Sequence, residues 1–105
     1  ADKAMLKELG YEVLLANGGR EALRIFDENK DRINLLILDL IMPDLSGEIV
    51  YDRIKALRPD VRVILSSGYS IEGQAESILK RGCDGFIQKP YNLNQLAQKI
   101  KQILA

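Results

Sequence analysis

Asp39, Ser67 and Lys89 each lie at the end of a short, mainly apolar segment, and together their side chains could take part in phosphoryl transfer. A carboxylate can act as a nucleophile in covalent catalysis. A lysine ammonium and a hydroxyl can stabilise the charge on the oxygens of a transferred phosphoryl group. Asp39 also lies in the most hydrophobic stretch of the chain, NLLILDLIMPDLSG at 34–47, where a carboxylate without compensating partners would be costly. The pattern therefore indicates a phosphoryl site.

Each of these residues also has an ordinary structural interpretation when it is taken alone. Asp39 could cap the next element, and Ser67 could bond its own backbone. A lone lysine such as Lys89 is most often a solvated surface charge. Their occurrence at three successive strand ends favours a shared site, because sites in open α/β sheets form outside the carboxyl ends of the strands.

The hydrophobic periodicity predicts alternating helices and strands in the order αβαβαβαβα. Strands alternating with helices indicate an α/β fold with a parallel sheet covered on both faces. The last helix has the clearest start, with Asn92 as N-cap and Gln95 three residues later in a capping-box pattern. The predicted helices lie in 1–9, 20–29, 50–57, 71–79 and 93–104, and the predicted strands are 11–16, 33–39, 61–67 and 85–88.

Composition indicates one ordinary globular domain and argues against several classes of function. A chain of 105 residues that is 47% hydrophobic can bury a single core. Its 15 basic and 15 acidic residues cancel, so charge gives no reason to expect direct nucleic-acid binding. No apolar run approaches the roughly 20 residues that span a bilayer, and the first residues are unlike a signal peptide. The single cysteine, Cys83, cannot form an internal disulfide, which is typical of proteins in the reducing cytoplasm. One cysteine and no histidine also argue against a structural zinc site.

Three motifs, LLILDLIMPDLSG, VILSSGYS and GFIQKP, occur in an order and at spacings that resemble the receiver domains of two-component response regulators. The resemblance covers essentially all of residues 1–105 and implies one flavodoxin-like domain, with a doubly wound parallel sheet of strand order 2-1-3-4-5. It also implies a cis peptide bond between Lys89 and Pro90, an isomer that proline makes accessible. The phrases LSSGY and GFIQKPY look most similar to receivers fused to sensor histidine kinases or to close relatives of such receivers.

The resemblance assigns a role to each matching position. It implies that Asp39 is the phosphoacceptor and that the backbone carbonyl of Ile41 is a Mg²⁺ ligand. Ser67 would be the hydroxyl that bonds the phosphoryl group and shifts when it arrives, and Lys89 would be the counter-ion. Phe86 occupies the position of an aromatic switch residue, although a phenylalanine in a short strand is also an ordinary core residue.

Two bulky residues flank the implied site. Ile41 and Tyr69 each lie two residues past an implied site residue, at positions that in the family commonly shape the access of hydrolytic water. Because both side chains are large, we expect slower self-dephosphorylation than with small or polar residues.

The family's first strand, which ends in two acidic Mg²⁺ ligands, has no counterpart in these 105 residues. Ala1 falls within the predicted first helix, and Asp2 is the only acid before Lys7. That strand is central in the family's order, so its absence would leave its neighbours with unpaired edges. The sequence could be truncated relative to the natural protein, another chain or a shifted strand could fill the gap, or the chain could form a swapped assembly. In each case we expect weak Mg²⁺ binding, because one carboxylate and one carbonyl are few protein ligands.

Three functions are compatible with the sequence. The first is a phosphoryl-accepting switch that receives its phosphoryl group from a histidine kinase or phosphotransfer domain and signals to an output domain or protein through residues 71–105. The second is a degenerate, phosphorylation-independent receiver that acts as an interaction module; the absent acid pair favours it, whereas the intact site residues oppose it. The third, an aspartate-nucleophile phosphatase, ranks last because the second acid at short spacing, Asp44, lies beyond a proline. We also expect a cytoplasmic location and no membrane segment. A homodimer is one arrangement that the sequence allows.

Overall fold

The computed structural model describes residues 2–68 and 73–105, in which a parallel sheet is packed between two layers of helices. Strand β2 lies between β1 and β3 and runs parallel to both. The doubly wound α/β fold predicted from the sequence is therefore confirmed. The described elements in chain order are α1 (Asp2–Glu8), α2 (Gly19–Asn29), β1 (Leu35–Asp39), α3 (Gly47–Leu57), β2 (Arg62–Ser67), α4 (Gln74–Lys80), β3 (Gly85–Gln88) and α5 (Leu93–Leu104).

Strand β2 is deeply buried because helices cover both of its faces. Val63 and Leu65 contribute to a cluster with α2, α3 and α4, whereas Ile64 contributes to a second cluster with α5. Successive side chains of a strand point to opposite faces, so one continuous apolar run serves both clusters. We call them the first core (Phe26, Leu38, Leu40, Val50, Tyr51, Ile54, Val61, Val63, Leu65, Ala75 and Ile78) and the second core (Ile64, Ile87, Leu96, Ile100 and Ile103).

The helix starts that follow the strands are fixed by local caps. Ser46 precedes α3, and its hydroxyl accepts a hydrogen bond from the Ile49 N–H at 3.3 Å. The predicted capping box of α5 is confirmed: the Asn92 side chain accepts from the Gln95 N–H at 2.9 Å, and the Gln95 side chain accepts from the Asn92 N–H at 2.8 Å. Such caps satisfy N–H groups that lack partners inside the helix.

The prediction of a strand at 11–16 is wrong, since these residues form neither a helix nor a strand. A strand is held by hydrogen bonds to a neighbour, and within the described residues β1 pairs with β2 alone. The family's strand order would place a further strand between 11–16 and β1, and no described residue forms it. The segment is left without a ladder, and Leu14 and Leu15 are 48% and 56% exposed.

The other predicted elements agree with the structure, apart from shifts at their ends. The strand expected at 33–39 is shorter, Leu35–Asp39, and the helix expected at 71–79 is described from Gln74 to Lys80. Ile71 lies outside the described residues. The peptide bond between Lys89 and Pro90 is cis, as expected. None of the helices in residues 2–68 and 73–105 has the length and apolar character needed to cross a membrane.

Candidate functional site

The ends of the three strands bring the predicted site residues to one edge of the sheet. Asp39 is the last residue of β1, Ser67 is the last residue of β2, and Lys89 directly follows β3. In the register of the sheet, Asp39 lies opposite Ser66. The Lys89 backbone N–H donates to the Ser67 carbonyl oxygen at 2.8 Å. This edge is the position at which open parallel sheets present groups to ligands.

The Asp39 carboxylate has a partner on each oxygen. Lys89 Nζ lies 2.5 Å from Oδ2, and the Ile41 N–H donates to Oδ1 at 3.0 Å. These contacts offset the cost of placing a carboxylate at the end of an apolar strand. The side chains of Asp39 and Lys89 are 43% and 39% exposed, so the pair contributes little to folding stability. Its main consequence is local: a positive charge sits directly against the carboxylate.

Ser67 and Phe86 lie on the face of the sheet that carries the first core. Val63 and Leu65 belong to that core, and alternation along β2 places the buried Ser67 on the same face. Phe86 lies opposite Leu65 in the register and packs, half-buried, against the first core. The hydroxyl and the aromatic ring implied to act in switching therefore face the same helices.

The two residues expected to limit access of water differ in what the structure describes. Ile41 is 63% exposed, and its backbone N–H is bound to the Asp39 carboxylate. Tyr69 lies outside the described residues. The effect of either residue on dephosphorylation stays a prediction.

Asp44 forms hydrogen bonds with the start of α2. The sequence had suggested for it only the role of a second acid in a phosphatase. Its Oδ1 accepts from the Gly19 N–H at 2.8 Å, and its Oδ2 accepts from the Arg20 N–H at 3.0 Å. Hydrogen bonds from Arg20 and Gly19 hold the pKa of this carboxyl below its usual value. A carboxylate is also favoured at a helix N-terminus by the helix dipole. In this structure both oxygens of the Asp44 carboxylate therefore bind the first N–H groups of α2. The one sequence signal for this contact was Gly18, a helix-start position without a capping side chain.

Ser66, like the contact of Asp44 with α2, was not predicted from the sequence. It is 1% exposed, and its hydroxyl has no hydrogen-bond partner among the described residues. A buried hydroxyl of this kind is uncommon because it loses its bonds to water without replacement. In the sequence, Ser66 and Ser67 are adjacent serines, and only the alternation of faces distinguishes them.

The described residues do not by themselves fit a firmly held Mg²⁺ ion. Within 2–68 and 73–105, no three or more histidine, cysteine, aspartate or glutamate side chains gather as a metal would require. Asp39 and the Ile41 carbonyl offer one carboxylate and one carbonyl, whereas Mg²⁺ demands a near-ideal octahedral shell of oxygens. Both oxygens of Asp39 also already have protein partners.

Comparisons with known proteins agree with this fold and site. The family model of the response regulator receiver domain matches residues 2–101. Sensor kinase CckA of Brucella abortus (strain 2308) is 32% identical over 99 residues, which are 94% of this chain and 10% of the kinase. The chain thus spans about a tenth of that relative's length.

Two solved structures show the same likeness in three dimensions. A response regulator receiver domain protein from Clostridium thermocellum superposes with a TM-score of 0.91 and 34% identity, over 98% of this chain and 82% of that one. The receiver domain of the sensor histidine kinase PA1611 from Pseudomonas aeruginosa PAO1, which has a magnesium ion coordinated in its active site cleft, superposes with a TM-score of 0.87 and 26% identity, over 98% and 84% of the two chains. The chain therefore belongs to the receiver-domain family of two-component response regulators.

Proposed function

We propose that this receiver domain is a phosphoryl-accepting signalling switch in which Asp39 is the phosphoacceptor. The observation that carries the proposal is the 2.5 Å contact between Lys89 Nζ and Asp39 Oδ2 at the carboxyl edge of the sheet. A carboxylate and a cation that lie together at the edge where open parallel sheets present groups to ligands support a reaction with a phosphoryl donor at this position. Membership of the receiver family supports the same assignment. Similarity to a sensor kinase supports a histidine kinase or a phosphotransfer domain as the donor.

The proposed reaction moves a phosphoryl group from a phosphohistidine to Asp39. A carboxylate oxygen of Asp39 attacks phosphorus, and a P–O bond forms while the P–N bond to imidazole breaks. The electron pair of the broken bond stays on the imidazole nitrogen, and Asp39 becomes an acyl phosphate. Lys89 lies beside the transferred negative charge and stabilises it. The Ile41 N–H orients the carboxylate through its hydrogen bond to Oδ1.

We assign the conformational response to Ser67 and Phe86. In the proposed switch the Ser67 hydroxyl moves to bond an oxygen of the phosphoryl group, and Phe86 packs more deeply once the hydroxyl has left its place. The half-buried state of Phe86 against the first core is compatible with such a movement. An output domain or protein would read the change on the surface of 71–105, of which residues 73–105 are described and include α4, β3 and α5. We further propose that the chain is located in the cytoplasm and does not contact nucleic acid directly. A second copy of the chain, in a homodimer, is one partner that we propose.

Receiver domains bind Mg²⁺ in the active site, and the relative from Pseudomonas aeruginosa carries the ion in its cleft. A bound ion supplies positive charge to the phosphoryl oxygens. We propose that the 105-residue chain binds it weakly, through the Asp39 carboxylate and the Ile41 carbonyl alone. Titration of the chain with Mg²⁺ measures this affinity directly. Near-normal phosphorylation by acetyl phosphate in the presence of Mg²⁺ would contradict weak Mg²⁺ binding, and it would leave the assignment of Asp39 as phosphoacceptor intact.

Phosphorylation of the purified chain tests the function. The chain is incubated with acetyl phosphate or a phosphohistidine donor, and the added mass is measured on the intact protein. We expect Asp39→Asn to abolish the added phosphoryl mass, because the carboxylate is the nucleophile. Asp31→Asn, at an exposed acid in the turn after α2, is the matched control and should keep it. Equal labelling of the Asp39→Asn variant would reject Asp39 as the acceptor.

A phosphorylation-independent interaction module is the second candidate. It is favoured by the lack of a carboxylate cluster in the described part of the chain. The two candidates differ in how partner affinity responds to phosphorylation. The switch predicts that affinity changes when Asp39 is phosphorylated, whereas the module predicts equal affinity for the wild type, with or without donor, and for Asp39→Asn.

A further inference from the structure

The start of α2 has no capping group of its own. Gly18 precedes the helix with an extended backbone (φ −169°, ψ 176°) and makes no side-chain cap. The first N–H groups of any helix lack partners within it. Here the N–H groups of Gly19 and Arg20 both donate to Asp44, which lies 25 and 24 residues away in the sequence. The helix is therefore capped from the loop between β1 and α3.

Two glycines allow this loop to approach α2 closely. A Cβ atom at position 18 would lie 3.0 Å from Asp44 Oδ1, and a Cβ at position 19 would lie 2.8 Å from the Leu45 Cβ. Such distances are too short for an undisturbed contact, particularly at position 19. Gly18 and Gly19 thus make the room that the contact with Asp44 and Leu45 requires.

The loop that Asp44 anchors is the one that shapes the Asp39 site. Residues 40–46 connect β1 to α3 and carry Ile41, whose N–H donates to Asp39 Oδ1. The loop is held at its start by the Leu40 N–H, which donates to the Ser66 carbonyl oxygen at 3.2 Å, and at its end by the cap of Ser46 on α3. Between these two ends, Asp44 ties the loop to α2.

We propose that Asp44 is a positioning residue of the phosphoacceptor site. Its carboxylate fixes residues 40–46 against α2, and the fixed loop holds the Ile41 amide and carbonyl in place at Asp39. The catalytic half of this inference rests on the proposed function of Asp39. The structural half, the position of the Ile41 amide, can be measured without phosphorylation.

Two variants separate positioning of the loop from simple capping of α2. Asp44→Ala removes both the cap and the tie between the loop and the helix. Adding Gly18→Ser to Asp44→Ala supplies a local cap, because a serine hydroxyl at this position accepts from the first turn of the helix. The extended backbone at position 18 suits serine, and the atom that would crowd its Cβ, Asp44 Oδ1, is absent in this background. The double variant therefore restores the start of α2 without restoring the tie.

Two readouts on these variants decide the inference. The first is hydrogen-exchange protection of the Ile41 amide, which we expect to fall in Asp44→Ala and to stay low in the double variant. The unfolding midpoint of the double variant should nevertheless return toward the wild-type value, because the helix cap is restored. The second is the initial rate of phosphorylation, which we expect to be lower by about tenfold in both variants, a loss in keeping with a reacting group displaced by less than 1 Å.

Either of two results would overturn the inference. One is wild-type protection and a wild-type rate in Asp44→Ala itself. The other is recovery of both quantities in the double variant, which would reduce Asp44 to a helix cap. Absence of phosphorylation in the wild-type chain would instead reject the proposed function of Asp39, and protection of the Ile41 amide would still decide whether Asp44 positions the loop.

Discussion

Two segments of this chain have similar apolar sequences, VRVILSS at 61–67 and YEVLLA at 11–16, yet only the first forms a strand. Strand β2 has a hydrogen-bonded neighbour on each side, and Leu65 within it is fully buried. In the 11–16 segment, which joins no strand, Leu15 is 56% exposed. An apolar, β-branched pattern therefore sets a tendency, and the presence of neighbours decides whether it becomes a strand. The paired strands also hold the candidate site together, because their ends carry Asp39 and Lys89.

Truncation of one leucine in each segment should give the largest contrast in stability. We expect Leu65→Ala to lower the free energy of unfolding by about 2–5 kcal/mol, because it leaves a cavity in the first core. Leu15→Ala should change it by less than about 0.5 kcal/mol, as is usual for exposed positions. Chemical denaturation of both variants measures the two values. Similar losses would show that the 11–16 segment is packed as tightly as β2.

A second prediction concerns the positive charge of Lys89 at the strand ends, whose removal should affect phosphorylation far more than folding stability. Lys89→Ala should lower the rate of phosphorylation about 100-fold, the scale of losing one preorganised group that stabilises developing charge. The free energy of unfolding should change by less than about 1 kcal/mol, because the ion pair is partly exposed. Lys80→Ala is the matched control, since Lys80 pairs with Glu76 on the surface of α4. Phosphorylation of Lys89→Ala at the control's rate would contradict the assigned role.

A smaller effect is expected where the site meets solvent. Ile41→Asn should shorten the lifetime of the phosphorylated protein several-fold, because a polar side chain next to Asp39 admits and orients hydrolytic water. Ile49→Asn, at an exposed apolar position in α3, provides the comparison. The rate of phosphate release from each phosphorylated variant is the measurement. Release from Ile41→Asn that is no faster than from wild type would count against this role.

The smallest expected effect is a dependence of stability on pH at Asp44. Its pKa is held below the usual value by N–H donors of α2, so the folded state favours the charged form. The resulting stabilisation is complete above the ordinary aspartate pKa of about 3.9 and is lost as the pH falls through the lowered value. The difference in unfolding midpoint between wild type and Asp44→Asn should therefore be present at neutral pH and shrink in strong acid. A difference that is constant across this range would show that ionisation of Asp44 does not stabilise the fold.

Much of the site could be predicted because its signals are local. Asp39, Ser67 and Lys89 each lie at the end of a mainly apolar segment, and because parallel strands end at one edge of a sheet, the sequence alone indicates that the three lie together. The capping box joins Asn92 and Gln95, which are three positions apart, and was predicted for the same reason. Local patterns also indicated most helices and strands to within a few residues of their observed ends.

The features that were missed depend on contacts that are distant in the sequence. The segment 11–16 has the apolar pattern of a strand, but its partner in the family's strand order is the first strand, which has no counterpart in these 105 residues; the local pattern therefore predicted a strand that the missing partner prevents. The role of Asp44 arises from contact with a helix start 24 and 25 residues away, which no periodicity encodes. The Ser66 hydroxyl, which lacks a partner among the described residues, differs from that of Ser67 through the face of the sheet to which it points.

The most direct test of the proposed switch is to locate the phosphoryl group on the chain. After incubation with acetyl phosphate, hydride reduction converts an aspartyl phosphate to homoserine, and peptide mass mapping identifies the converted residue. We predict conversion at Asp39 in the wild-type chain and in Asp31→Asn, and none in Asp39→Asn. Conversion at another acid, or full occupancy without Asp39, would contradict the claim that this carboxylate is the phosphoacceptor.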